Sequence, residues 1–284
     1  RRDVFVNRTL NLQRIEVIGY DMDYTLVGYH AAEWEARAYN YLKENLIAHG
    51  WDSGALARLT FDPLRVIRGT VVDCAQGNLL KVNRFGFIKA AYHGTQRLSA
   101  REVRAQYSSP VVDLNSAHMV FLDTLFSLSE GCIFAQIVDI FDAEGLPDVH
   151  DYVGIWEVVR RSLDLAHLEG ELKRDVLREP ARYVVGDTLV AQTLLEQKMA
   201  GKRLVLITNS EWSYTNPVMA HAFDTYLPEG MTWRDLFSVI IVESRKPGFF
   251  RGRHRMLQIH DEVGERLSPF NAPLEEGGVY LGGD

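Results

Sequence analysis

Asp21 and Asp23 flank a single methionine, and the polar run Asp21-Met22-Asp23-Tyr24-Thr25 begins where the apolar-rich segment Arg14 to Tyr20 ends. A turn at that point can give the two carboxylates different work. One can attack phosphorus while binding a metal; the other can protonate the leaving oxygen and then activate water, which is covalent catalysis with acid/base assistance. A phosphoryl group in transit spreads negative charge over its oxygens, so such a site also needs a cation, a lysine and neutral donors fixed in advance. Three later clusters could supply them. Thr208-Asn209-Ser210 offers hydroxyls, an amide and backbone N–H groups, Arg245-Lys246-Pro247 offers a fixed positive charge, and Gly282-Gly283-Asp284 offers a hard oxygen ligand for Mg²⁺.

Each cluster needs an element to aim it, and each follows a short apolar run: Arg14 to Tyr20, Lys202 to Ile207, Phe237 to Val242 and Gly278 to Leu281. These read as buried strands running into polar loops. A helical stretch, Leu189 to Met199, precedes the second strand and stops at Gly201. Strands alternating with helices predict an α/β fold, a doubly wound parallel sheet, with ligands at the carboxyl ends of the strands. Between the first and second strands lie roughly 180 residues, far more than a crossover needs. The core is therefore assigned to 1–35 and 186–284, and an inserted α+β cap to 36–185. Within the cap, Gly69 to Val82 and Phe85 to Tyr92 read as strands with turns, and Asn115 to Leu128 and Ile133 to Phe141 as a helix pair.

Composition narrows the classes. The 284 residues are 46% hydrophobic and 24% charged, ordinary for a soluble enzyme, and the net charge of −7 argues against a broad nucleic-acid surface. Only Cys74 and Cys132 occur, read as core thiols of a protein in a reducing cytosol. No apolar run approaches the roughly 20 residues that span a bilayer, and neither a signal region nor a serine-hydrolase, P-loop or dinucleotide-binding motif is present. The basic stretch Arg245 to Arg255 reads as a solvated face, and His254 and His260 as surface residues. The start at Arg1-Arg2 and the stop at Asp284 read as a cut, with the C-terminal part of the core truncated.

A lone Asp-x-Asp is more often a cap or turn element, but the ordered set is specific. Asp21-Met22-Asp23-Tyr24-Thr25-Leu26, Thr208-Asn209-Ser210, Arg245-Lys246-Pro247 and Leu281-Gly282-Gly283-Asp284 resemble the four motifs of haloacid dehalogenase superfamily phosphatases. Most of the chain further resembles the cytosolic purine 5′-nucleotidases that prefer IMP and GMP. Matching segments include Arg68 to Asp73, Gly77 to Val82, Asp123 to Leu128, Arg160 to Lys173, and Lys246-Pro247 followed by Phe249-Phe250.

The resemblance implies a Mg²⁺-dependent 5′-nucleotidase, with phosphotransfer as a companion activity. It makes Asp21 the nucleophile and Asp23 the acid/base. Thr208 and Lys246, with Asn209 and Ser210, would hold phosphate, and Asp21, Asp23 and Asp284 would hold the metal. It stacks Phe126 on the purine, turns Arg160, Asp164 and His167 to the base, brings Lys173 to the phosphate, and sets Asp123 and Ser127 near the sugar. The partner is a small nucleoside monophosphate rather than nucleic acid or membrane, and a cytoplasmic homo-oligomer, dimer or tetramer, is expected.

By themselves the same residues admit plainer readings. Arg160, Asp164 and His167 fall at i, i+4 and i+7 and fit one solvated helix face, and Phe126 fits a core aromatic. The chain also departs from the family pattern. Asp123 and Ser127 stand where asparagines are expected, Leu168 and Glu169 replace an aromatic and a lysine, and no second acid follows Asp284. A phosphatase for another small phosphate ester and a nucleotide-binding protein with impaired catalysis therefore remain as alternatives.

Overall fold

The computed structural model describes residues 11–48, 50–122, 127–270 and 272–283, with backbone only for 164–169. The chain divides into two compact units, Arg1–His30 with Val176–Asp284, and Ala31–Asp175. The architecture is mixed α/β.

The first unit is built on a six-stranded sheet in the order Val17–Tyr20, Arg203–Ile207, Val239–Val242, Gly278–Gly282, Met256–Ile259, Leu267–Phe270. The first four strands run parallel. Their register puts Tyr20 opposite Leu206, Ile241 opposite Ile207 and Val242 opposite Leu281, so the carboxyl ends of all four strands lie at one edge. Val239–Val242 is buried at every residue, the continuous apolar pattern of a strand covered on both faces. Val239, Ile241, Phe249 and Tyr280 form one of its apolar clusters.

The helix Thr188–Met199 precedes the second strand. It starts there because the Asp187 side chain accepts from the N–H groups of Leu189 (2.9 Å) and Val190 (3.4 Å). It ends at Gly201, whose φ of +78° suits a residue without a Cβ. Trp212–Phe223 carries the chain from the second strand toward the third. Among the described residues, the link from Val239–Val242 to Gly278–Gly282 has no α-helix and adds the antiparallel pair Met256–Ile259 and Leu267–Phe270. Those strands were not anticipated: Met256, Leu257 and Ile259 give a run of only four residues beside a basic stretch, too short to register as a period.

The second unit holds a five-stranded antiparallel sheet in the order Gln96–Arg97, Ile88–His93, Asn78–Val82, Thr70–Asp73, Met119–Leu122. Alternate residues feed separate cores, as a period of two requires. Val72, Leu79 and Leu122 pack with Ile133, Phe134 and Ile137 of the helix Leu128–Glu144 and Trp156 of the helix Tyr152–Glu169. Val71, Leu80 and Ile88 pack on the other face with Ala91 and Val112. Gly131 permits the close approach, since a Cβ there would meet Leu122 Cδ1 at 2.5 Å.

One expectation is overturned here. The helix read over Asn115 to Leu128 is instead interrupted by Met119–Leu122, a strand paired with Thr70–Asp73 in the register Thr70↔Leu122 and Asp73↔Met119. Backbone pairing along a sheet edge and burial of Leu122 outweigh the weak helical pattern. The second predicted helix lies inside Leu128–Glu144.

Candidate active site

The loop after Val17–Tyr20 closes on itself, because Met22 O accepts from the N–H groups of Thr25 (3.2 Å), Leu26 (2.9 Å) and Val27 (3.0 Å). Met22 is wholly buried, whereas the carboxylates on either side of it reach polar surroundings. Asp21 Oδ1 accepts from its neighbour's N–H at 2.8 Å and from Lys246 Nζ at 2.7 Å. Lys246 Nζ also donates to Ile207 O at 2.6 Å, so one ammonium joins the ends of the first two strands. The lysine side chain is 17% exposed and that of Asp21 46%, and Asp21 Oδ2 has no hydrogen bond among the described residues. One oxygen is pinned and the other stays accessible.

Lys246 is itself held from behind. Its N–H donates to Asn209 Oδ1 at 2.7 Å, and Asn209 Nδ2 donates back to its carbonyl at 3.1 Å. Ser244 Oγ donates to the same Asn209 oxygen at 2.9 Å. Thr208 is fully buried: its N–H donates to Ile241 O at 2.9 Å and its hydroxyl accepts from Ser210 N–H at 3.1 Å. Tyr24, Glu243 and Arg245 have φ of 55°, 47° and 60°. Each such non-glycine residue costs on the order of 1–3 kcal/mol, strain that gathers where loop geometry serves a site.

Asp23 has a hydroxyl on each oxygen. Tyr29 donates to Oδ1 at 2.5 Å and Ser210 to Oδ2 at 2.8 Å, and Tyr214 lies behind Tyr29 at 3.1 Å between hydroxyl oxygens. Burial above all, then the charge on Asp23, pushes the Tyr29 phenol far above its ordinary value, and burial does the same for Tyr214. Both therefore stay neutral donors at physiological pH.

The first unit thus gathers Asp21, Asp23, Thr208, Asn209, Ser210 and Lys246 at one sheet edge. In the second unit Arg160 Nη1 lies 3.3 Å from both oxygens of buried Glu130. Asp164 and His167 belong to the same helix, Tyr152–Glu169, but their side chains lie outside the described residues. Ser127 immediately precedes Leu128–Glu144, and Lys173 lies in the helix Glu171–Arg178. Asp123, Phe126 and Asp284 lie outside the described residues. Among those described, no group of three or more His, Cys, Asp or Glu could hold a metal, and no helix is long and apolar enough to cross a membrane.

Cys74 and Cys132 are free and buried, and burial pushes the Cys74 thiol up to about 12. Sequence reasoning missed Tyr29, Tyr214 and Ser244, which carry no motif; only the nearness of Tyr29 to Asp23 in the chain hinted at it.

The sequence pattern described as the 5′ nucleotidase family matches residues 4–284. The 5′-nucleotidase domain-containing protein 2 of Rattus norvegicus is 29% identical over 299 residues, covering 99% of this chain and 51% of the rat protein. Its namesake in Homo sapiens is 28% identical over 299 residues, covering 99% of this chain and 54% of the human protein. A 5′-nucleotidase domain-containing protein of Dictyostelium discoideum is 29% identical over 291 residues, covering 99% and 48%. The chain spans about half the length of the curated relatives it matches. Since the matched span takes in Asp21, Thr208 and Lys246 and the strands that carry them, the chain belongs to the 5′-nucleotidase family.

Proposed function

We propose that this chain carries a Mg²⁺-dependent 5′-nucleotidase centre on a haloacid dehalogenase-type core, cleaving purine nucleoside monophosphates such as IMP and GMP through an aspartyl-phosphate. The observation that carries the reading is the Asp21–Lys246 pair at the ends of parallel strands, with one carboxylate oxygen pinned and one accessible. A lysine so placed holds the nucleophile's aim and adds positive charge where the phosphoryl oxygens gather negative charge.

In the first step Asp21 attacks phosphorus in line, the Asp21–phosphorus bond forms, and the bond to the nucleoside oxygen breaks as Asp23 gives that oxygen its proton. In the second, Asp23 takes a proton from water as the water attacks phosphorus, which frees phosphate and returns both aspartates to their starting forms. A nucleoside hydroxyl in place of water would make the second step a phosphotransfer.

The Asp21 carboxylate and the Asp23 carbonyl are hard donors of the kind Mg²⁺ takes, and Asp284 is assigned as a third. Bound there, the ion would supply charge neutralisation for the transferring phosphoryl group. On the family resemblance alone, base and sugar selection is assigned to Phe126, Arg160, Asp164, His167, Asp123 and Ser127, and a further phosphate contact to Lys173.

The test is phosphate release from IMP, GMP, AMP and sugar phosphates, with Mg²⁺ and with EDTA. The reading predicts turnover of IMP and GMP that requires Mg²⁺. Asp123 and Ser127, which replace expected asparagines, favour a second reading as a phosphatase for another small ester. Much faster turnover of sugar phosphates than of IMP or GMP would select it.

A further inference from the structure

The two hydroxyls on Asp23 go beyond what attack and proton transfer require. A carboxylate that must serve a leaving oxygen and then a water has to keep one orientation through both events. Asp23 follows a strand end in a loop, and nothing in its own backbone prevents its χ1 and χ2 from rotating. Each oxygen is nevertheless tied: Oδ1 by Tyr29 and Oδ2 by Ser210.

The ties come from elements that are themselves fixed. Tyr29 lies in the short strand Gly28–Tyr29, paired antiparallel with Val184–Val185 in the register Tyr29↔Val184. His30 N–H donates to Tyr183 O at 2.8 Å just beyond it. The Tyr29 ring meets the edge of Tyr24 with centroids 5.3 Å apart. Ser210 is anchored through its N–H on Thr208, and its carbonyl accepts from Glu243 N–H at 3.1 Å. Tyr29, Ser210 and Tyr214 are all buried. With its proton on Asp23, the Tyr29 oxygen is placed to accept from the Tyr214 hydroxyl at 3.1 Å, a contact that steadies it.

We infer that Tyr29 and Ser210 are positioning residues that clamp the Asp23 carboxyl in one orientation for both proton transfers, with Tyr214 locking Tyr29 from behind. The clamp serves both forms of Asp23, because a carboxylic oxygen that donates its proton forward still has a lone pair for an incoming O–H. A misplacement near 1 Å can cost on the order of 10²-fold in rate. The inference rests on the nucleotidase reading for the role of Asp23, but not on which phosphate ester is the substrate.

The test is Tyr29→Phe, which deletes one oxygen, measured with IMP and with p-nitrophenyl phosphate in Mg²⁺, with thermal melting as the folding control. With IMP, kcat should fall about 10- to 100-fold while KM changes less than about two-fold. p-Nitrophenolate leaves without a proton, so only the second step should suffer: a burst of p-nitrophenolate near one per chain, then slow turnover. Ser210→Ala should repeat the pattern, and Tyr214→Phe should give a smaller loss of about two- to five-fold.

A Tyr29→Phe chain whose kcat stays within two-fold of wild type overturns the clamp. So does one whose burst amplitude falls in proportion to its rate, since that reports a smaller folded fraction. If Tyr29→Phe melts below the assay temperature, Ser210→Ala decides by the same criteria. A wild-type chain that turns over p-nitrophenyl phosphate but neither IMP nor GMP overturns the substrate assignment and leaves the clamp to be judged by the burst. A wild-type chain inert on every ester overturns both.

Discussion

Two groups of polar side chains, one in each unit, use similar chemistry to opposite ends. In the inserted unit, Asp73 accepts from Tyr107 Oη (2.7 Å), Tyr107 Oη accepts from Asn78 Nδ2 (2.8 Å), and Asn78 Oδ1 meets His93 Nδ1 (2.8 Å). His93 Nε2 then meets Asp142 at 2.8 Å, and Asp142 accepts from Tyr152 at 2.9 Å. Asp73 also accepts from the N–H of Ala75 at 3.1 Å and is 1% exposed, so its chemistry is complete within the fold. At the strand ends of the first unit the acids are tied as firmly, yet Asp21 keeps an accessible oxygen. Satisfied and enclosed polar groups specify a fold; satisfied groups with one face held open can do chemistry.

The contrast is tested first at its extreme. Asp21→Asn should lower turnover of IMP by roughly 10⁴-fold or more while the chain folds normally. Steady-state kinetics beside a circular-dichroism melt checks both halves, and an active variant would remove the difference between the two groups.

Lys246→Met should reduce kcat by about 10²- to 10³-fold, the size of losing a preorganised charge at the phosphoryl group. Its melt should change little, because the carboxylate it leaves behind is exposed enough to be hydrated.

Glu35 belongs with the enclosed groups but is not completed. It is 1% exposed, Oε2 accepts from Ser129 N–H at 2.6 Å, and Oε1 has no partner among the described residues. Burial, and to a lesser extent Glu130, raises it to about 7 against the N–H of Ser129. The native state therefore holds a proton that the unfolded chain loses near pH 4.5. Stability from this group is full below that value, falls as pH rises toward 7, and is then lost, by about 3 kcal/mol in all. Urea unfolding between pH 4.5 and 8 should show that decline, and Glu35→Gln should flatten it; an unchanged slope in the variant assigns the decline elsewhere.

The smallest effect is expected from Tyr107→Phe, which leaves Asp73 and Asn78 each short of a partner. It should cost about 1–3 kcal/mol in urea unfolding and leave kcat/KM for IMP within two-fold. A catalytic loss of the size expected for Lys246 would mean that the inserted unit's network is not merely structural.

The parallel strands and their loops could be read from sequence because each is a short apolar run broken by polar residues, a signal confined to neighbours in the chain. Asp21, Asp23, Thr208 and Lys246 sit in those loops, so their meeting at one sheet edge could be expected for the same reason. What escaped depends on distant partners. Met119–Leu122 is a strand because Thr70–Asp73 offers it hydrogen bonds, and Met256–Ile259 because Gly278–Gly282 does. Tyr29 and Tyr214 are 185 positions apart, and no local pattern announces that their hydroxyls meet. The hydrogen bonds of the Asn209 amide to the Lys246 backbone and Ser244 likewise exist only once two loops are brought together.

The central claim is that Asp21 is phosphorylated during turnover. Brief reaction with IMP and Mg²⁺, acid quench, borohydride reduction and peptide mass spectrometry tests it directly, because reduction of an aspartyl-phosphate leaves homoserine at that position. The account predicts homoserine at position 21, dependent on substrate and absent in Asp21→Asn. Turnover of IMP with homoserine at another aspartate, or at none, would contradict it.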